Sequence, residues 1–279
     1  MNSHFPMEHV PSAVPTKEVF ISPQSPLLQT NTLLLDNRAY HQVLLLGAAF
    51  CLVFIAFSAA QSAQTSSSNA DVRANALGVL YACFTLVNLV VAYFVSRIGL
   101  KSAICVASVT YVVYVASNIQ FSIPLIYFAS VLLGCGAAFL WCAQGAYVTR
   151  FSQIHEKCNQ LPESSSLGAF TGSFFSVYQL NQALGNGLVA FLHFMDMNES
   201  SIYTILTCVC ISGCLLFLFL KTPVMDNSLA VIVSPNRVSI FDTISLWKDY
   251  KMLMIMPMFL TSGLTYNFMY FLTYFVFGM

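Results

Sequence analysis

Residues 43–63 read VLLLGAAFCLVFIAFSAAQSA, 21 positions without a charged side chain. About 20 such residues wound as a helix cross a hydrocarbon core of about 30 Å. Six further stretches of the same kind follow at 76–96, 102–120, 123–146, 170–194, 203–220 and 252–274. The expected fold class is therefore all-α, a polytopic membrane helix bundle with seven spans. The whole chain agrees, with 57% hydrophobic and 8% charged residues, where a soluble domain carries about 25% charged. Its mean hydropathy is +0.73. The fifth stretch is the longest, which predicts a tilted span.

Outside these stretches the composition changes. Residues 1–40 hold five of the ten prolines among polar residues with no helical period, the pattern of a disordered tail. They lack the basic start and early apolar core of a cleaved leader. Residues 41–220 form the six-span unit, and 221–251 a connection whose Ile240, Ile244, Trp247 and Tyr250 fall on one helical face, suited to lying on a membrane surface. Residues 252–279 hold the seventh span. Threading the spans alternately places ten of the eleven basic residues on one side and only Arg73 on the other. That asymmetry puts the N-terminus in the cytosol. The sequon Asn198-Glu199-Ser200 then falls on the opposite side, where glycosylation occurs, although its short loop brings Asn198 close to the membrane. Eight of the nine cysteines lie inside spans, with Cys158 in a loop, so they are read as small packing residues. No metal spacing, phosphate loop or pairing of nucleophile and base is present, and no enzyme activity, cofactor, metal or nucleic-acid partner is expected.

The spans contain no Asp, Glu, Lys or Arg, and His193 stands near the end of the fifth. A carrier that works through buried charge therefore lacks its usual coupling residues here. What the spans offer instead is uncharged hydrogen-bonding capacity at Gln61, Asn88, Asn118, Gln144, Gln179, Asn181, Gln182 and Asn186. Gln179, Gln182 and Asn186 recur at i, i+3 and i+7, giving the fifth span a polar face that must meet protein or water. Two readings stand: the lining of a cavity for a polar solute or ion, or interhelical hydrogen bonds worth about 0.6–2 kcal/mol each. Small residues mark a second pattern. Ser130, Gly134, Ala138 and Cys142 recur every four residues, Trp141 and Gly145 follow closely, and Gly168 and Gly172 open the next segment. Such stripes bring helices together, within the bundle or against another membrane protein.

Certain blocks carry a family resemblance. They are Phe54-Ile55-Ala56-Phe57-Ser58-Ala59-Ala60-Gln61, Leu80-Tyr81, the turn Arg97-Ile98-Gly99-Leu100-Lys101, Tyr111 and Tyr114, and above all Trp141-Cys142-Ala143-Gln144-Gly145-Ala146-Tyr147. Gly185-Asn186 and Met256-Pro257-Met258-Phe259 add to them. Together they resemble the uncoordinated-93 family, an ion-channel regulatory branch related to the major facilitator superfamily. The resemblance implies a facilitator-like N-terminal half of six spans plus the first helix of a second half, in a multi-pass protein of the plasma membrane or an endomembrane. On that reading the chain is expected to be a fragment or a truncated isoform. The resemblance also implies a regulatory or trafficking role toward another integral membrane protein, with a potassium channel as the candidate partner. The alternative is a facilitator-type transporter of a small solute or ion. The Arg97–Lys101 turn departs from the general facilitator loop, since Ser96 stands where that loop has an acid.

Overall fold

In a computed structural model of the chain, the described residues are 26–65, 69–223 and a few positions between 250 and 261, with side chains described from Ala39 onward. The surface segment at 240–250 lies outside them except for Tyr250, and of the seventh span at 252–274 only 253–258, 260 and 261 are described, all helical. Among the described residues every regular element is a helix: α1 Pro26–Thr65, α2 Ala70–Asn88, α3 Val91–Ile98, α4 Leu100–Ala116, α5 Ile123–Cys158, α6 Leu167–Tyr178, α7 Leu180–Phe194 and α8 Glu199–Leu218. Three of these, α1, α5 and α8, are long and apolar enough to cross a bilayer. The α2–α3 pair, taken as one bent span, makes a fourth. The apolar α4 has 17 residues, and α6 and α7 have 12 and 15. The chain is a helical membrane protein on this evidence.

Helix boundaries differ from the sequence expectation in three places, each with a local cause. α1 starts at Pro26, well inside the segment read as a tail; proline is favoured in a first helical turn because its missing N–H has no partner there anyway. The second stretch is two helices meeting at 71° across Leu89 and Val90. Here the Asn88 side chain donates to the Phe84 carbonyl at 2.8 Å, and Leu89 N and Val90 N turn back to carbonyls three residues earlier, so the α-helical ladder stops. The fifth stretch is also two helices, α6 and α7, joined at Gln179. The Asn181 amide donates to the Tyr178 carbonyl at 2.5 Å, the oxygen that an unbroken helix would give to the backbone of residue 182. The interruption is Gln179 alone, which keeps helical dihedrals (φ −63°, ψ −17°) and still donates its N–H to the Phe175 carbonyl at 2.9 Å.

α1 occupies the centre. Within its 39–64 portion the most apolar stretch is 78% buried, against 50% for α5 and 33% for α8. Large apolar side chains such as Val106, Phe128, Leu86 and Phe194 face outward instead, as lipid contact requires. α1 packs on α6, α7 and α8, while α5 packs on α2, α3 and α4; α1 also meets α5, and α4 meets α8. Exchanging α1 with α5, the pair α2–α3 with α6–α7, and α4 with α8 leaves these main pairings unchanged. Each of the exchanged pairs is an interrupted helix, α2–α3 bent by 71° and α6–α7 interrupted at Gln179 alone.

Glycines permit the closest approaches. A Cβ at Gly134 would lie 2.5 Å from the Leu80 carbonyl oxygen and 2.7 Å from Cys83 Cβ on α2. A Cβ at Gly213 of α8 would lie 2.8 Å from Val53 Cγ2 and 2.9 Å from Val53 N on α1. Gly185 plays the same part for α7 against Ser58 and Ile55, and Gly136 for α5 against Thr110. Where α4 crosses α8, the Cys214 thiol donates to the Ser108 carbonyl at 3.3 Å and the Cys105 thiol to that of Phe217 at 3.6 Å. All nine cysteines are free.

Candidate functional site

The two broken helices and the central α1 leave a cavity of about 280 Å³ between them. α1 contributes Phe54, Phe57, Ser58 and Gln61, and α2 contributes Leu80, Tyr81 and Phe84. Tyr111 of α4 and Leu133, Ala137 and Trp141 of α5 complete that side. Tyr178 and Gln182, which bracket the α6–α7 junction, close the other. Among the described residues, no charged side chain lines it.

Its aromatic members hold one another in place. The Phe54 ring lies 5.4 Å from Trp141, 5.2 Å from Tyr178 and 5.2 Å from Tyr111, and Trp141 lies 5.5 Å from Tyr178 edge-on. Phe50, one turn below, packs edge-on against Trp141 and Phe174. Edge-to-face pairs of this kind add about 0.5–1.5 kcal/mol each beyond their buried area. The wall is thus preformed rather than a chance gap between mobile side chains.

The sequence-derived candidates scatter around this cavity. Gln61, Gln182 and Trp141 line it. Gln144 is buried on α5 outside the lining. Asn88 serves the α2–α3 break, and Gln179 is exposed at the α6–α7 junction. Asn186 is exposed and accepts from the Ser62 hydroxyl at 3.2 Å. Of the small residues, Ser130, Gly134 and Ala138 are buried, whereas Gly145, Gly168 and Gly172 are exposed with nothing near the position a Cβ would take. In the turn between α3 and α4, Arg97 donates to the Tyr93 hydroxyl at 3.2 Å, Lys101 is half-buried, and Gly99 has φ +91°, a conformation suited to glycine. Asn198 caps α8, its side chain accepting from Ser201 N at 2.9 Å.

Two clasps secure the ends of the 39–64 span of α1. At one end the Gln64 amide donates to Asn118 at 3.0 Å and its oxygen accepts from the Tyr114 hydroxyl at 3.1 Å. At the other, the Gln42 oxygen accepts from the Tyr147 hydroxyl at 3.1 Å and from Lys221 N at 2.7 Å. Arg73 stood apart in the charge count, but its burial and partners did not show there. Only 3% exposed, it donates to the Tyr203 hydroxyl at 2.6 Å and lies over the rings of Phe121 and Tyr203. The one clue in the sequence was its isolation as the single base on its side. At the opposite end the buried Glu156 carboxylate accepts from Ser164 N and Ser166 N at 3.0 and 2.9 Å, fixing the turn into α6.

A family model described as Ion channel regulatory protein UNC-93 matches residues 70–276. UNC93-like protein 3 of Arabidopsis thaliana is 29% identical over 240 residues, 81% of this chain and 51% of that protein. UNC93-like protein MFSD11 of Xenopus tropicalis is 25% identical over 205 residues, covering 69% of this chain and 44% of its own length. A Caenorhabditis elegans relative, named for regulation of a potassium channel, is 26% identical over 157 residues, 56% of this chain and 22% of that protein. The chain spans about half the length of the first two of these curated relatives.

Proposed function

This chain belongs to the UNC-93 family, and on that premise we propose that it acts in the plasma membrane or an endomembrane as a regulatory or trafficking partner of another integral membrane protein. The observation that carries the reading is the family match across residues 70–276. The candidate partner is a potassium channel, the kind of protein for which the Caenorhabditis elegans relative is named. The mechanism is lateral helix packing, with the N-terminus on the cytosolic side and Asn198 opposite. The bundle is the six-span N-terminal half of a facilitator-like fold, followed by a connection and a seventh helix. The exchangeable pairing of α1–α4 with α5–α8 supports this, because nested three-helix repeats recur within facilitator halves. The test is to express a potassium channel with and without this chain in the same cells. The expected result is that the two co-isolate in mild detergent and that channel current or surface amount changes. Isolation of each protein alone, with current and surface amount unchanged, would overturn the proposal.

A second reading, a facilitator-type transporter of a small solute or ion, is favoured by the cavity at the α6–α7 break. Interrupted helices commonly form the binding sites of transporters. Flux into proteoliposomes that disappears in Gln182→Ala, with folding retained, would support it.

A further inference from the structure

We infer that the cavity bounded by α1, α2, α4, α5 and the α6–α7 junction binds a small organic cation of the quaternary or tertiary ammonium class, held by aromatic walls and side-chain amides without a counter-ion. This goes beyond the partner reading and requires neither a channel nor transport.

The cavity is partly open, with Tyr81 of its lining half-exposed, so a solute can reach it. At about 30 Å³ per water molecule, about 280 Å³ is room for about nine waters, or a compact solute. Seven of the thirteen lining residues are aromatic. Ring faces carry negative potential, which attracts cations and disfavours anions. Trp141, the strongest ring type for this purpose, stands with Tyr178 and Phe54 in mutual contact at 5.2–5.5 Å. Gln61 and Gln182 add amide oxygens from α1 and α7.

The lining also discriminates among ligands. An anion would find no Lys, Arg or His on these walls. A bare metal ion would surrender its hydration shell to rings and a few neutral oxygens, whereas hard cations demand several oxygen ligands. An alkylammonium ion is different, because its methyl groups suit apolar rings and its diffuse charge suits their faces. The remaining competitor is a neutral apolar solute of the same shape.

The test exploits the presence of only two tryptophans, Trp141 and Trp247. In Trp247→Phe, the full chain in nanodiscs reports cavity occupancy through Trp141 fluorescence alone. Choline is titrated beside 3,3-dimethyl-1-butanol, its uncharged carbon isostere. The expected result is a saturable change with choline and binding about tenfold weaker for the isostere. Binding of radiolabelled choline by equilibrium dialysis should weaken at least about threefold in Trp141→Phe, a variant that keeps a ring and the fold. Equal binding of choline and isostere would overturn the inference, as would the absence of any saturable change. Undiminished choline binding in Trp141→Phe would move the ligand elsewhere and overturn it too.

Discussion

Replacing Tyr203 by Phe removes a single oxygen atom, yet the surroundings of Arg73 make that atom expensive to lose. The arginine is 3% exposed and its Nη1 donates to the Tyr203 hydroxyl at 2.6 Å, while its Nε has no hydrogen-bond partner. A hydrogen bond to a charged group contributes about 1.5–3 kcal/mol, and leaving the charge buried and unpaired carries the larger cost. The two rings remain in Tyr203→Phe, at 4.9 and 5.5 Å from the guanidinium carbon, so the cation–π contribution survives. The expected loss is therefore about 1.5–3 kcal/mol. Arg73→Met forfeits the bond and the ring contacts but also removes the desolvated charge, so its cost should be comparable. Combining the two substitutions should then cost little more than Arg73→Met alone, a coupling of about 1.5–3 kcal/mol. Glu199→Gln is the control. That carboxylate is 61% exposed and 3.9 Å from Nη2, and after screening by solvent the pair is worth at most about 0.5 kcal/mol. Reversible unfolding in mixed micelles, run as a double-mutant cycle, measures all four quantities. Additive losses in the cycle, or a Glu199→Gln loss as large as that of Tyr203→Phe, would refute the reasoning.

Other outcomes follow from the packing and the caps. Gly134→Val places a branched side chain where even a Cβ would meet the α2 backbone at 2.5 Å, and should cost about 1–3 kcal/mol or more; Gly145→Ala, which meets nothing, should be neutral in the same unfolding assay. Asn198→Ala removes the α8 cap and should cost about 1 kcal/mol. Only four residues separate α7 from α8, the last of them Asn198, while Glu199 and Ser200 of the sequon already belong to α8, so endoglycosidase treatment should leave the gel mobility of the unmutated chain unchanged.

Much of the helical architecture was legible because burial in lipid leaves a blunt compositional mark. The start of α5 at Ile123 coincides with the start of its apolar stretch, yet the helix runs on to Cys158. Apolar counting stops where Arg150 appears, whereas the backbone continues as long as Tyr147, Phe151 and Glu156 find buried positions. The breaks after Asn88 and at Gln179 were invisible for the opposite reason. Around the first, Leu86, Val87, Leu89, Val90 and Val91 keep the stretch apolar on both sides of Asn88, whereas at the second Gln179, Asn181 and Gln182 read as a polar helix face and not as an interruption. For the cavity, Gln61 and Gln182 stood out as polar groups in apolar helices. Phe54 and Tyr111 entered only through the family resemblance and Tyr178 not at all, because an aromatic in a span reads the same whether it faces lipid, core or cavity. Gly134 was legible from its stripe, while Gly185 and Gly213 make equally close contacts without one.

The reciprocal pairing of the helices also dictates an order of events during synthesis. α1 is inserted first, but its buried face is completed by α6, α7 and α8, which the ribosome delivers last. Until Leu167 and the residues after it emerge, the α1 surface that receives those helices, with Gly47 against Phe174 and Val177 and Val53 against Gly213, waits uncovered in the bilayer. α5 is spared that delay, since α2, α3 and α4 precede it and can receive it at once. A nascent chain stalled before α6 would therefore present a half-clothed α1 to whatever chaperone surveys the membrane, and α1 is the helix on which premature termination should be sensed.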